Sequence, residues 1–341
     1  MLHKKRILFI SVKFFNYENL IKEQLENMGA EVDMYDERPS NSFFSKAIIR
    51  IKKEAYNSQI NRHFRAIIEN IKNSVYDYFL LIKGEATPKF FLDFLREKNP
   101  NITFIYYTYD SFRNNPNGLK ILDLFDSKFT FDSNDAKNYQ IRFRPLFYAK
   151  NYEAVSQSNE KIMYDLAFIG TAHSDRYFIS ESARKWCLES GFKMFTFYFS
   201  PSKILFNYRK LTDRNFRNFD IKNISFASLT HLEIIEIYKK SKIILDINHP
   251  GQNGLTMRTF ETLGAGRKLI TTNQNIRLYP FFNPQNIYII ERNNIVLDEL
   301  FFKTDFENLP AEILNSMSIK GWVEEVFGMM PKNDVWGKVV N

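Results

Sequence analysis

The chain reads as an α/β protein made of two doubly wound domains in tandem, each a parallel β-sheet with helices on both faces. Three observations carry this reading. Short β-rich runs alternate with helix-period stretches through the first 150 residues, the pattern of a parallel sheet with helical crossovers. A second alternating series follows a polar, aperiodic stretch, 149–161, of the kind that links domains. The 341 residues also suffice for two domains, at roughly 150 residues each. The expected domains are therefore 1–150 and 151–341, with a cleft between the carboxyl ends of the two sheets, the usual ligand position in open α/β folds.

The first strand is expected at 6–12. Lys4, Lys5 and Arg6 ahead of an apolar run superficially resemble a secretion signal, but Lys13 interrupts the run and no small-residue cleavage site follows. Further strands are expected at 31–35, 78–83, 103–107 and 128–131, with 143–147 closing the first sheet. The longest helix is expected at 42–72, where Phe44, Ile48, Ile51 and Ala55, then Ile60, Phe64, Ile67 and Ile71, recur every three or four residues. It also carries Lys46, Arg50, Lys52, Lys53, Arg62, Arg65 and Lys72. In the second domain, strands are expected at 165–170, 194–198, 224–227, 243–247, 268–271 and 287–290. The helices there are 174–190, 231–241, 256–264 and 310–327.

Composition narrows the function classes. Hydrophobic residues at 44%, and 34 Phe, are too apolar for a disordered chain. The single cysteine, Cys187, has no internal disulfide partner, and no Cys/His spacing matches a zinc site, so a reducing compartment, the cytoplasm, is expected. No run of about 18 apolar residues suggests a membrane span, which leaves peripheral contact with the inner face of a membrane open. A net charge of +8 favours anionic partners: sugar nucleotides, nucleic acid or an anionic membrane. The chain has no Gly-x-x-x-x-Gly-Lys-Ser/Thr loop, which counts against a nucleoside triphosphatase.

The most informative stretch is 246–273, Asp-Ile-Asn-His-Pro-Gly-Gln-Asn-Gly-Leu-Thr-Met-Arg-Thr-Phe-Glu-Thr-Leu-Gly-Ala-Gly-Arg-Lys-Leu-Ile-Thr-Thr-Asn. It reads as a buried strand, a Gly-containing loop, a helix opening near Thr256, a Gly stop at 264–266 and another strand. Gly251 and Gly254 permit close approach of backbone to a ligand, and the helix N-terminus offers N–H groups and a positive dipole end to a diphosphate. Arg258 sits in the first turn, and Glu261 one turn on is placed to accept from ribose hydroxyls. The alternative is a plain strand-turn-helix whose Arg and Glu are solvated.

From Asn253 to Asn273 this text resembles the donor-binding segment of GT-B glycosyltransferases, and in wording the bacterial group of spore-maturation-protein-like and lipopolysaccharide-biosynthesis enzymes, with their Arg-x-Phe-Glu, small-residue turn and apolar strand. The resemblance implies two Rossmann-like domains, the C-terminal one holding a nucleotide sugar and the N-terminal one receiving the acceptor. Transfer to a glycan or lipid-linked acceptor in surface polysaccharide or lipopolysaccharide synthesis is the activity it implies. One departure stands out: retaining members carry two glutamates with seven residues between them, and the position matching the first is Asn253. An amide hydrogen-bonds a sugar hydroxyl but does not carry that charge, so Asn253 and Glu261 are expected as donor ligands, not as a nucleophile.

The segment Phe168-Ile-Gly-Thr-Ala-His-Ser-Asp-Arg resembles the same family more weakly. Gly170, Thr171 and Ser174 can form a nest around phosphate, with Arg176 neutralising it; the alternative is helix capping by Ser174, with Asp175 in the first turn. His173 reads as a loop residue. For an inverting reaction a carboxylate or a His must take the acceptor's proton. Asp110, after the strand at 103–107, is the first candidate and Glu85, after 78–83, the second; each has the alternative role of a helix cap or loop carboxylate. The Asp-x-Asp pattern of GT-A enzymes is absent, so no metal is expected and Arg258 and Arg176 would stabilise the leaving diphosphate. The basic helix at 42–72 either meets anionic lipid or glycan or simply presents a solvated face. Two other functions compete: a non-catalytic GT-B binding protein, and a basic nucleic-acid-binding protein. Nucleic acid is not the expected partner, since the basic residues are spread along the chain without a recognised motif.

Overall fold

The computed structural model describes every residue except 1, 43–44, 46–48, 50–52, 214–215, 330–333 and 341, and the side chains of 334, 338 and 340. The chain forms two compact units, the first made of Met1–Pro145 with Ile319–Asn341 and the second of Leu146–Ser318. The expected domains break at 150 and run to the C-terminus; here the break falls at 145 and the last segment belongs to the first unit.

In the first unit, β1 (Arg6–Ser11), β2 (Glu31–Asp36), β3 (Tyr78–Ile82), β4 (Thr103–Thr108), β5 (Ser127–Thr130) and β6 (Arg142–Phe143) form a parallel sheet in the order β2-β1-β3-β4-β5-β6. Its central strands are apolar on both faces; Phe9, Phe79, Leu81 and Phe104 are fully buried. Helix α1 (Tyr17–Asn27) follows β1, α2 (Asn57–Ile71) precedes β3, α3 (Lys89–Lys98) precedes β4 and α4 (Ser133–Tyr139) precedes β6. In α2 the expected stripe Ile60, Phe64, Ile67 and Ile71 is buried in the core. The helix expected over 42–72 is not continuous: Lys53–Tyr56 is a 3₁₀ turn, and Ala55 is exposed. Phe44, Ile48, Ile51, Lys46, Arg50 and Lys52 lie outside the described residues. The strand expected at 143–147 stops at Phe143, because Pro145 has no N–H to continue the ladder.

In the second unit, β7 (Tyr164–Thr171), β8 (Met194–Phe199), β9 (Ile224–Ser225), β10 (Ser241–Asp246), β11 (Lys268–Thr271) and β12 (Ile287–Ile289) are all parallel, ordered β9-β8-β7-β10-β11-β12. Numbered within this unit, that is the Rossmann order 3-2-1-4-5-6. Helices α5 (Arg176–Glu189), α6 (Lys203–Thr212), α7 (His231–Lys239), α8 (Met257–Gly264) and α9 (Ala311–Met317) pack in this unit, with a short helical turn at Glu299–Lys303. Helix α6 is absent from the sequence expectation. The stretch 149–161, expected as a linker, is partly folded into this unit: Lys150–Tyr152 and Glu153–Ser156 are helical, and Tyr152 and Val155 are fully buried. The helix expected over 310–327 is two. Ser318 is extended (φ −72°, ψ 157°) between α9 and α10 (Ile319–Val326), where the chain leaves the second unit for the first.

Each sheet has one place where consecutive connections depart in opposite directions, β1/β3 in the first and β7/β10 in the second. Ligands of open α/β sheets bind at the carboxyl ends of such strands.

Candidate functional site

In the second unit the carboxyl ends of β7 and β10 are tied by one guanidinium. Arg176, at the start of α5, donates Nε to the Ile247 carbonyl at 2.9 Å and Nη1 to the Thr171 carbonyl at 3.2 Å. Gly170 leads into this loop, and a Cβ there would stand 2.6 Å from the Phe168 ring. Ser174 has a left-handed backbone, φ 48°, and its hydroxyl meets His173 Nδ1 at 2.9 Å instead of capping α5. The alternative role of Ser174, a helix cap, is therefore not the one it takes. Asp175 is the cap residue, and its carboxylate is taken by both bonds of Arg292 Nη1, at 2.9 and 2.7 Å.

Beyond β10, Asp246 accepts from the hydroxyls of Thr256 (2.6 Å) and Thr259 (2.9 Å), which pins the first turn of α8. Asn248 and Asn273 stiffen the intervening loop: Asn248 Nδ2 donates to the Gln252 carbonyl at 3.0 Å, and Asn273 Nδ2 to the carbonyls of Asn253 (3.2 Å) and Gly254 (3.4 Å). Asn253 is exposed and Gly254 buried. At the far end, α8 closes in a Schellman motif, with Gly266 at φ 63°, its N–H on the Leu263 carbonyl and Arg267 N–H on that of Thr262.

Three guanidiniums bond to these loops, Arg176, Arg209 and Arg292, and the charge of a fourth, Arg258, acts on Arg176. Besides Arg176, Arg258 Nη1 donates to the Tyr238 hydroxyl at 3.1 Å and lies 3.7 Å from Glu261 Oε2. Arg292 Nη2 donates to the Asn248 carbonyl and Oδ1, and Arg209 on α6 donates to the Ala172 carbonyl at 3.1 Å. Burial, opposed by Asp246 and reinforced by Arg258 and Arg292, pushes the pKa of Arg176 down to about 10. It remains charged at neutral pH. Burial, then Arg176, His249, Arg209 and Arg292, push that of His173 down to about 2, so this imidazole is neutral. Asp175 and Glu261 are paired with Arg292 and Arg258, and Asp246 stands against Arg176, so these carboxylates offset much of the positive charge; the printed bonds of Arg176 and Arg209 go to backbone carbonyls. Glu261 is 1% exposed and stands beside Arg258, a buried partner to that guanidinium.

Sequence reasoning named Gly170, Thr171, Arg176, Asn253, Gly254, Arg258 and Glu261, and all fall on these two loops and α8. It missed Arg209 and Arg292. Arg292 follows β12, so a basic residue at a strand's carboxyl end was the available signal; for Arg209 none existed without α6.

In the first unit, both expected carboxylates share one lysine. Lys83 Nζ lies 2.8 Å from Glu85 Oε2 and 3.4 Å from Asp110 Oδ2. Lys83 and Gly84 are both left-handed (φ 85° and 69°), and the Lys83 carbonyl is held by the Tyr106 hydroxyl at 2.7 Å and Asn115 Nδ2 at 2.6 Å. A non-glycine residue in that conformation is strained, a feature that clusters at functional sites. Glu85 is buried and also paired with Arg38 Nε. Burial raises its pKa, but Lys83 and Arg38 outweigh that and hold it well below the usual carboxylate range. The Asp110 side chain is 27% exposed, and its Oδ1 accepts from Asn114 at 3.1 Å. Glu37, which the sequence did not suggest, is fully buried. Its Oε1 accepts from the N–H groups of Ala86 and Thr87 and from the Thr87 hydroxyl. Burial and the neighbouring Glu85 push its pKa up.

No protein-family model matches the chain, and no curated protein matches it by sequence. Solved structures do. An alpha-glucosyltransferase in complex with UDP and a 13-mer DNA superposes with TM-score 0.62 at 14% identity, covering 96% of this chain and 99% of that one. An alpha,alpha-trehalose-phosphate synthase (UDP-forming) from Burkholderia xenovorans gives 0.61 at 9% identity, covering 95% and 99%. HepE of Anabaena, in complex with UDP and glucose, gives 0.56 at 9%, covering 96% and 100%. The fold is that of the GT-B class, two Rossmann-like α/β units.

Proposed function

We propose that this chain is a glycosyltransferase that takes a sugar from a nucleoside diphosphate sugar bound in its second unit. The observation that carries the reading is the meeting of Arg176, Arg209 and Arg292 on the β7 and β10 loops, with the charge of Arg258 acting on Arg176 from α8. Complexes of GT-B-fold neighbours with UDP support it. Gly170, Thr171, Arg176, Asn253, Gly254 and Arg258 bind the donor, with Glu261 orienting Arg258. The acceptor is a glycan or lipid-linked sugar of a surface polysaccharide or lipopolysaccharide, and the site of action is the cytoplasm or the inner face of the membrane.

The reaction is a direct displacement at the anomeric carbon. The acceptor oxygen forms the new bond as its proton passes to Asp110, and the bond from the anomeric carbon to the phosphate oxygen breaks, the electron pair leaving with the diphosphate. The arginines stabilise that developing charge. The absence of an Asp-x-Asp pair from the sequence is why we propose metal-independent transfer. Asp110 is preferred to Glu85 as the base because both oxygens of Glu85 are already paired with cations.

A thermal-shift titration with UDP, GDP, CMP and dTDP tests the reading. One nucleotide should raise stability by about 2.7 kcal/mol at a hundredfold excess over its Kd; no shift with any of them at millimolar concentration rejects it. Asp110→Asn should then keep nucleotide binding while turnover falls by a factor of about 10² to 10⁴. A second reading takes DNA as the acceptor. It is favoured by the net charge of +8 and by the DNA in the glucosyltransferase complex, and incorporation of labelled sugar into DNA distinguishes it.

A further inference from the structure

Helix α6 has two apolar faces, and the fold uses only one. Phe206 is fully buried, while Ile204, Tyr208 and Leu211 are 84%, 62% and 78% exposed. These three stand at i, i+4 and i+7 and form a single stripe on the solvent side. One exposed leucine needs no explanation, but a row of three large apolar side chains does. Ile221, 42% exposed, lies just beyond in the chain.

Basic residues flank the stripe in the chain: Lys203, Arg217 and Lys222 are exposed. Between 203 and 222 the sequence carries six Lys and Arg, two Asp and no Glu. The helix is held in place from its other side. Ser202 caps its start by accepting from Leu205 N–H at 3.1 Å, Lys210 Nζ lies 5.8 Å above the Phe206 ring, and Arg209 reaches the Ala172 carbonyl.

We propose that this stripe and its basic flanks dock on an anionic lipid bilayer. Helix α6 lies in the plane of the interface, with Ile204, Tyr208 and Leu211 in the boundary between headgroups and acyl chains and the Lys and Arg residues against lipid phosphates. The charge ratio complements an anionic surface, and a tyrosine between two aliphatic residues suits the interfacial layer. The basic helix singled out from the sequence is a poorer candidate over its described part, because the apolar stripe of α2 is spent in the core. Among the described residues no helix is long and apolar enough to cross a membrane, so docking is peripheral. The inference stands apart from the donor reading, since lipid binding is read without nucleotide.

The test is flotation of the full chain with vesicles of phosphatidylcholine alone or with about one-third phosphatidylglycerol. The wild type should float with the anionic vesicles, and less so at high salt. Ile204→Ser/Tyr208→Ser/Leu211→Ser should reduce the bound fraction about tenfold, the cost of losing the inserted area, with melting temperature and gel-filtration volume unchanged. Lys203→Glu/Lys222→Glu should weaken the preference for anionic vesicles. Equal flotation of the triple variant, or equal binding of the wild type to neutral and anionic vesicles, overturns the proposal. So does a wild-type dimer that the triple variant converts to monomer, since the stripe would then be an interface between two copies.

Discussion

Arg258 shows how much of one side chain's role lies in its surroundings. Its Nη1 is taken by the Tyr238 hydroxyl and stands 3.7 Å from a buried carboxylate, which fixes the guanidinium in the first turn of α8 before any ligand arrives. Arg258→Ala should weaken nucleoside diphosphate binding by about 2–3 kcal/mol, the scale of a lost charge-assisted hydrogen bond. Calorimetric titration measures it, and a melting curve separates lost binding from lost folding. His173 sets the pH behaviour of the same cluster. Its folded pKa lies near 2 against an ordinary value of 6.5, so the unfolded chain binds the extra proton and stability falls as pH drops below about 6.5. Glu85 acts in the same direction over a lower window, since its folded pKa is held below 4.5 and its contribution disappears as the carboxylate protonates. Melting temperature should therefore decline between pH 7 and 5, and His173→Asn should flatten that part of the curve. An unchanged slope in the variant would remove His173 from the account.

Helix α8 is the element on which sequence and structure agree most closely. Its expected span of 256–264 is observed as Met257–Gly264 with Thr256 as the cap residue. Thr256, however, gives its hydroxyl to Asp246 and not to the helix backbone, a tertiary use of a residue that reads as a local cap. Gly264 was legible as a helix stop, but the structure gives it another reason to be small: an added Cβ would stand 2.4 Å from the ring of Tyr148, itself buried. Gly264→Ala should cost about 1–3 kcal/mol by overpacking, read as a lower midpoint in urea. Helix α6 is the opposite case. Its Ile204, Tyr208 and Leu211 share the spacing of a core-facing stripe, yet they face solvent while Phe206 takes the core, and periodicity alone does not say which face is covered.

At the scale of the whole molecule, the C-terminal segment joins the N-terminal unit. Trp322 of α10 is fully buried, its ring 4.8 Å from Tyr107 on β4, and Glu325 Oε2 lies 2.8 Å from Nε of the buried Arg144. The first unit is thus closed by residues more than 170 positions from the end of its own continuous stretch. Trp322→Ala should destabilise that unit by about 3–5 kcal/mol. Hydrogen exchange should show the loss in β1 and β4 while the strands around the arginine cluster keep their protection; uniform loss in both units would contradict the division.

The sequence by itself determined the class of the fold, the positions of most of its strands and the two strand-turn-helix segments that carry Arg176 and Arg258. Those features rest on short-range causes: a period of two or about 3.6, a proline, a glycine in a turn. Tertiary structure alone decided that Arg209 and Arg292 join the same cluster, that Lys83 bridges Glu85 and Asp110, and that Ser318 breaks a continuous helical pattern where the chain changes units. These depend on which surfaces remain to be buried once the sheets have formed. Hydrophobic burial is non-directional, so a local pattern records that a face is apolar without recording what will cover it.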